Sequence, residues 1–112
     1  MERITCAGST FVTGGLIAAA VIDYAHILAQ QGEFDVIELP TRRTDGSAGR
    51  ARLLVGPTTQ IASETVQLAS DELTDLPLVD ELRERAARLR RPQRPAVDPG
   101  RHAEDVEPWF DL

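Results

Sequence analysis

Lysine is absent from this 112-residue chain, and all twelve of its basic residues are arginine. GC-rich bacterial coding accounts for such a bias, and arginine also brings planar, two-pronged contacts that lysine cannot make. Cysteine is nearly absent. The one thiol, Cys6, excludes an internal disulfide and points to a reducing compartment, the cytoplasm. Histidine occurs only as His26 and His102, neither with a companion at ligand spacing, so no Cys/His zinc site and no metal cofactor is expected. Long apolar runs are missing as well. Leu16 to Ile22 is too short to cross a bilayer, and the opening Glu2-Arg3 does not read as a signal peptide. Aromatics make up 4% of the chain, which leaves the core to Leu, Ile, Val and Ala.

The charge balance weighs against nucleic acid. The net charge is −6, whereas a protein that grips duplex phosphates carries a basic face. The densest arginine cluster, Arg83 to Arg91, is interleaved with Asp80, Glu81 and Glu84. That is the pattern of a solvated helix with Glu81–Arg85 and Glu84–Arg88 pairs. A chain this short supports one domain with a modest core, so homodimerisation is expected to add buried area.

Along the chain, Arg3 to Thr13 reads as a β-hairpin turning at Ala7-Gly8-Ser9. Thr13 is the expected cap of a helix over 14–31, with Ile17, Val21, Tyr24 and Leu28 as its apolar stripe and Gly32 as its stop. Phe34 to Arg42 reads as a strand centred on Val36, Ile37 and Leu39. Pro40 in it predicts an edge position or the end of regular pairing. Asp45-Gly46 marks a hairpin turn into Arg50 to Val55. There Ala51, Leu53 and Val55 face one way and Arg50 and Arg52 the other, with Leu54 the apolar exception on the arginine side. Gln60 to Leu68 fits a strand or a short helix, its β-branched content favouring a strand. Asp75 caps a second helix with the stripe Leu76, Val79, Leu82, Ala86 and Leu89. The expected fold is α+β: a small antiparallel or mixed sheet of four or five strands, ordered β-β-α-β-β-(β)-α, with two helices on one face.

Two regions follow: a compact domain over 1–91, and a Pro-rich acidic tail over 92–112 expected to be disordered. The tail holds four of the seven prolines and the sole tryptophan. Its end, with Val106, Trp109, Phe110, Asp111 and Leu112, sets apolar anchors among acids and reads as a docking arm for a protein partner, or as an arm that folds back over its own sheet or covers a dimer mate.

Other chemistry is thin. Gly14-Gly15 at a helix start suggests a site where free backbone N–H groups bind an anion, and Arg42, Arg43, Arg50 and Arg52 around the Asp45 turn suggest a surface for an anion or an acidic peptide. The spacing from Gly8 to Gly14 and the missing lysine exclude a P-loop. Cys6 lacks a base and an orienting group, and reads as a small buried hydrophobe rather than a nucleophile. The expectation is a non-enzymatic interaction module; the alternative is a small-molecule or anion-binding domain using Gly14-Gly15 and the hairpin arginines.

Overall fold

A computed structural model describes residues 1–68 and 71–90. It is an α+β fold: β1 (Glu2–Cys6), β2 (Ser9–Thr13), α1 (Gly15–Gln31), β3 (Asp35–Arg42), β4 (Ala48–Val55), β5 (Ile61–Thr65) and α2 (Leu76–Arg90). The strands form one antiparallel sheet in the order β4-β3-β2-β1-β5.

Each junction has a local cause. Ala7 and Gly8 both take positive φ, 53° and 82°, which is the backbone of a two-residue hairpin loop. Ser9 joins β2 opposite Cys6 rather than the turn. In the second hairpin Gly46, at φ 87°, donates to the Arg43 carbonyl while Arg43 N–H donates to Ser47. Asp45 Oδ1 accepts from both the Ser47 backbone and hydroxyl. The loop is therefore three residues, Thr44-Asp45-Gly46, with the glycine supplying the left-handed position.

Pro40 sits on an inner strand, opposite Arg50 on one side. On the other side β2 meets β3 at Val12↔Arg42 and has ended before it reaches Pro40. The end-of-pairing reading is the one that holds, because the proline's missing N–H falls where no ladder continues. Thr13 hydroxyl donates to the Pro40 carbonyl at 2.8 Å instead. That bond removes Thr13 from the expected capping role: the N-cap of α1 is Gly14, with no side-chain cap. At the other end Gly32 is left-handed (φ 69°), and Glu33 N–H donates to Leu28 C=O, closing the helix as expected.

The segment after Gly56 resolves as a strand over 61–65, antiparallel to β1. In α2, Asp75 Oδ1 accepts from Leu78 N–H, and Val79, Leu82 and Ala86 are buried. Leu76 departs from the expected stripe: it is exposed, and Leu78 of the same turn packs against the core. The core joins Ile4 and Cys6, Ile37 and Leu39, and Leu53 and Val55 to the α1 stripe and to Leu82. α2 packs chiefly on α1.

One polar junction ties three elements together. Tyr24 hydroxyl of α1 donates to Asp35 Oδ2 of β3 at 2.5 Å, and Arg85 of α2 donates to the same oxygen at 3.0 Å. Arg85 also pairs with Glu81, and Arg88 with Glu84, as the sequence spacing implies. Burial, with the neighbouring Asp35 carboxylate, pushes the Tyr24 phenol up to about 12. Burial opposes ionisation of Asp35 too, but the Tyr24 hydroxyl, the Val36 N–H and Arg85 outweigh it and hold its pKa below the usual value.

Candidate functional site

The start of α1 has the free N–H groups that an anion would seek, and the chain supplies that anion itself. Glu72 Oε2 accepts from Gly15 N–H at 2.6 Å, and its Oε1 pairs with the Met1 ammonium at 3.0 Å. The Gly15 N–H and then the ammonium keep the Glu72 carboxyl below its ordinary pKa, against a small burial cost. Gly14 has ordinary extended dihedrals (φ −71°, ψ 155°), so the turn itself does not demand a glycine. The close approach does: a Cβ there would overlap the Leu73 carbonyl. Gly14 admits the 72–73 segment, and Glu72 takes the helix-start position that an external anion would need.

The hairpin arginines divide into two pairs. Arg42 reaches the Gly46 carbonyl, and its Nε is buried with no hydrogen-bond partner among the described residues. Arg43 donates to the Ala48 carbonyl at 2.6 Å. Both therefore brace the turn. Arg50 and Arg52 instead stand on the outward face of β4. Arg50 lies 3.6 Å from Glu38, and Arg52, directly opposite Glu38 in register, makes no ion pair among the described residues.

The same outward face carries apolar side chains. β3 buries Ile37 and Leu39, so the two-residue period turns Val36 outward with Glu38, and Phe34 follows the same parity. Val36 pairs across the ladder with Leu54, next to the Glu38–Arg52 pair. The Phe34 ring lies over Gly56, where a Cβ would overlap it. Leu54, Phe34 and Val36 are 62%, 54% and 49% exposed. Single exposed apolar residues are ordinary, but three adjoining ones beside two arginines form a patch.

Grooves flank the patch. Leu54 opens onto one of about 640 Å³, bounded by Thr5, Ala7, the 58–60 loop and Ala62. Val36, Glu38, Arg50 and Arg52 form one wall of another, about 480 Å³, whose far wall is the first half of α2 with Asp75, Leu78 and Glu81. A groove of about 350 Å³ runs from Phe34 to Arg88 and Leu89 at the end of α2. The second groove is mixed in charge, with Arg50, Arg52 and Arg85 set against Glu38, Asp75 and Glu81.

Among the described residues no hydrogen bond joins Cys6 to His26. Cys6 is buried and burial pushes its thiol up, while His26 is exposed on α1. No group of three or more His, Cys, Asp or Glu among the described residues is placed to hold a metal ion. No helix among them is long and apolar enough to cross a membrane. The arm residues Val106, Trp109, Phe110, Asp111 and Leu112 lie outside the described residues.

Sequence reasoning placed Arg50, Arg52 and Leu54 on one face but did not join Phe34 and Val36 to them. The signal was present: with Ile37 and Leu39 inward, parity puts 34 and 36 beside Glu38. No protein-family model, curated protein or solved structure matches this chain.

Proposed function

We propose that this chain is a non-enzymatic protein-interaction module whose docking surface is the outward face of the β3–β4 hairpin. The observation that carries this reading is the adjoining exposure of Phe34, Val36 and Leu54 beside Arg50 and Arg52. Apolar anchors surrounded by charge are how a peptide-binding surface combines affinity with partner choice. The partner suited to it is a segment with an aromatic or aliphatic anchor flanked by carboxylates. The arm at 104–112 is a second recognition element, with the apolar anchors and carboxylates that suit such a surface. The anion-binding alternative is weakened by Glu72 at the start of α1 and by the backbone bonds of Arg42 and Arg43.

Selection from a displayed random-peptide library tests the reading. A full-length chain carrying Trp109→Ala and Phe110→Ala, which lacks the arm's own aromatic anchors, is expected to enrich acidic peptides bearing Trp, Phe or Leu, and the same chain with Leu54→Asp added to lose that enrichment while keeping its far-ultraviolet circular dichroism. No enrichment, or the same peptides selected by both proteins, contradicts it.

A further inference from the structure

We infer that the β3–β4 face is held closed in the resting protein by the chain's own segment 104–112, folded back in an intramolecular complex. This rests on the docking reading above and supplies the occupant. The segment carries Glu104, Asp105, Glu107 and Asp111, and the face offers Arg52, which makes no ion pair among the described residues, beside Arg50, which it would draw from an exposed contact with Glu38. The anchors match as well, Val106, Trp109, Phe110 and Leu112 against Phe34, Val36 and Leu54 with their flanking grooves.

The path is short. α2 ends at Arg90, and its last turn shares a groove with Phe34, so the chain leaves the helix beside one end of the patch. The stretch 91–103 reaches about 43 Å when extended, at roughly 3.3 Å per residue, and the eight residues of β3 span only about 26 Å. A tether of this length gives an effective concentration on the order of 1 mM, so an intrinsic affinity of about 100 μM occupies the face roughly nine-tenths of the time. A second copy at micromolar concentration does not compete with that. A partner must displace the segment, which makes it a built-in competitor that sets a threshold for binding.

Trp109 is the only tryptophan, so its emission reports the segment alone. The test is acrylamide quenching of Trp109 in the full chain over a hundredfold range of protein concentration, beside Arg50→Glu/Arg52→Glu and Leu54→Asp chains. The expected result is quenching about threefold weaker than in the urea-unfolded chain, independent of protein concentration, and restored to the unfolded level in both variants. Urea-like quenching in the folded wild type overturns the inference. So does shielding that grows with protein concentration, which assigns the segment to a second copy, and so does shielding that both variants retain, which places it elsewhere. Either variant suffices if the other fails to fold. The docking reading is separable: a Trp109→Ala/Phe110→Ala chain that still selects acidic-aromatic peptides sustains it even when Trp109 of the wild type is freely quenched.

Discussion

Two regions of this molecule bring N–H or guanidinium donors to the surface, and among the described residues only the first is satisfied from within the chain. At the start of α1 the backbone N–H of Gly15 is taken by Glu72, which the Met1 ammonium holds from the other side. On the β3–β4 face Arg50 leans on Glu38, Arg52 has no ion pair among the described residues, and three apolar side chains stand in solvent beside them. A sequence feature that suits a ligand can equally be satisfied from within. Whether it is depends on what the rest of the chain brings to it.

The closed region can be broken most severely at Gly14. Gly14→Ala drives a methyl into the Leu73 backbone and separates Glu72 from Gly15, at an expected cost of about 3 kcal/mol in urea unfolding. A next step down is the Tyr24 junction that fixes α2 beside the hairpin face. Its phenol titrates near 12 in the folded chain against about 10 when unfolded, so it contributes stability below pH 10 that fades as the pH rises to 12. The expected loss over that window is on the order of 2 kcal/mol, absent in Tyr24→Phe; alkaline unfolding curves of the two proteins check it. Glu72→Gln removes an ion pair and weakens the helix-start contact at a half-exposed site, for an expected cost of about 1 kcal/mol. The lowered pKa of Glu72 means that this contribution is present above the ordinary carboxylate range and lost as the pH falls through its folded value.

How much of this could be read from the sequence follows the range of the forces involved. The α1 stripe, the Gly32 stop, both hairpins and the Glu81–Arg85 and Glu84–Arg88 pairs depend on residues close in the chain, and all are present. What was not legible depends on long-range contacts. Thr13 resembled a helix cap until the Pro40 carbonyl, 27 residues away, took its hydroxyl. Gly14-Gly15 resembled an anion site until Glu72, 57 residues from Gly15, filled it. Arg42 and Arg43 resembled ligands of the same kind as Arg50 and Arg52, and only the traced turn shows them bound to carbonyls. The apolar patch was half legible, because alternation places Leu54 with the arginines but only the β3–β4 register sets Val36 against it.

Smaller perturbations sharpen the contrast. Ala7 holds a positive φ that costs an alanine about 1 kcal/mol, so Ala7→Asn, at the rim of the groove beside Leu54, is expected to raise stability by roughly 0.5 kcal/mol. Leu54→Asp is expected to shift the melting temperature least, since a 62% exposed side chain leaves no cavity and its effect stays within about 0.5 kcal/mol. Its effect on peptide binding should nonetheless exceed that of every substitution at the start of α1 that leaves the chain folded. A change at Gly14 or Glu72 that alters peptide binding more than it alters stability would reverse the roles assigned to the two regions.

The most direct test of the docking face is an equilibrium titration. A fluorescent peptide of sequence EDVEPWFDL, residues 104–112, is added to the full chain carrying Trp109→Ala and Phe110→Ala, which frees the face of its internal competitor. Saturable binding is expected, falling at least tenfold when Arg50→Glu and Arg52→Glu are added and the melting temperature is unchanged, a difference of about 1.4 kcal/mol. Binding that does not saturate, or an affinity indifferent to the charge reversal, contradicts a docking surface on β3–β4.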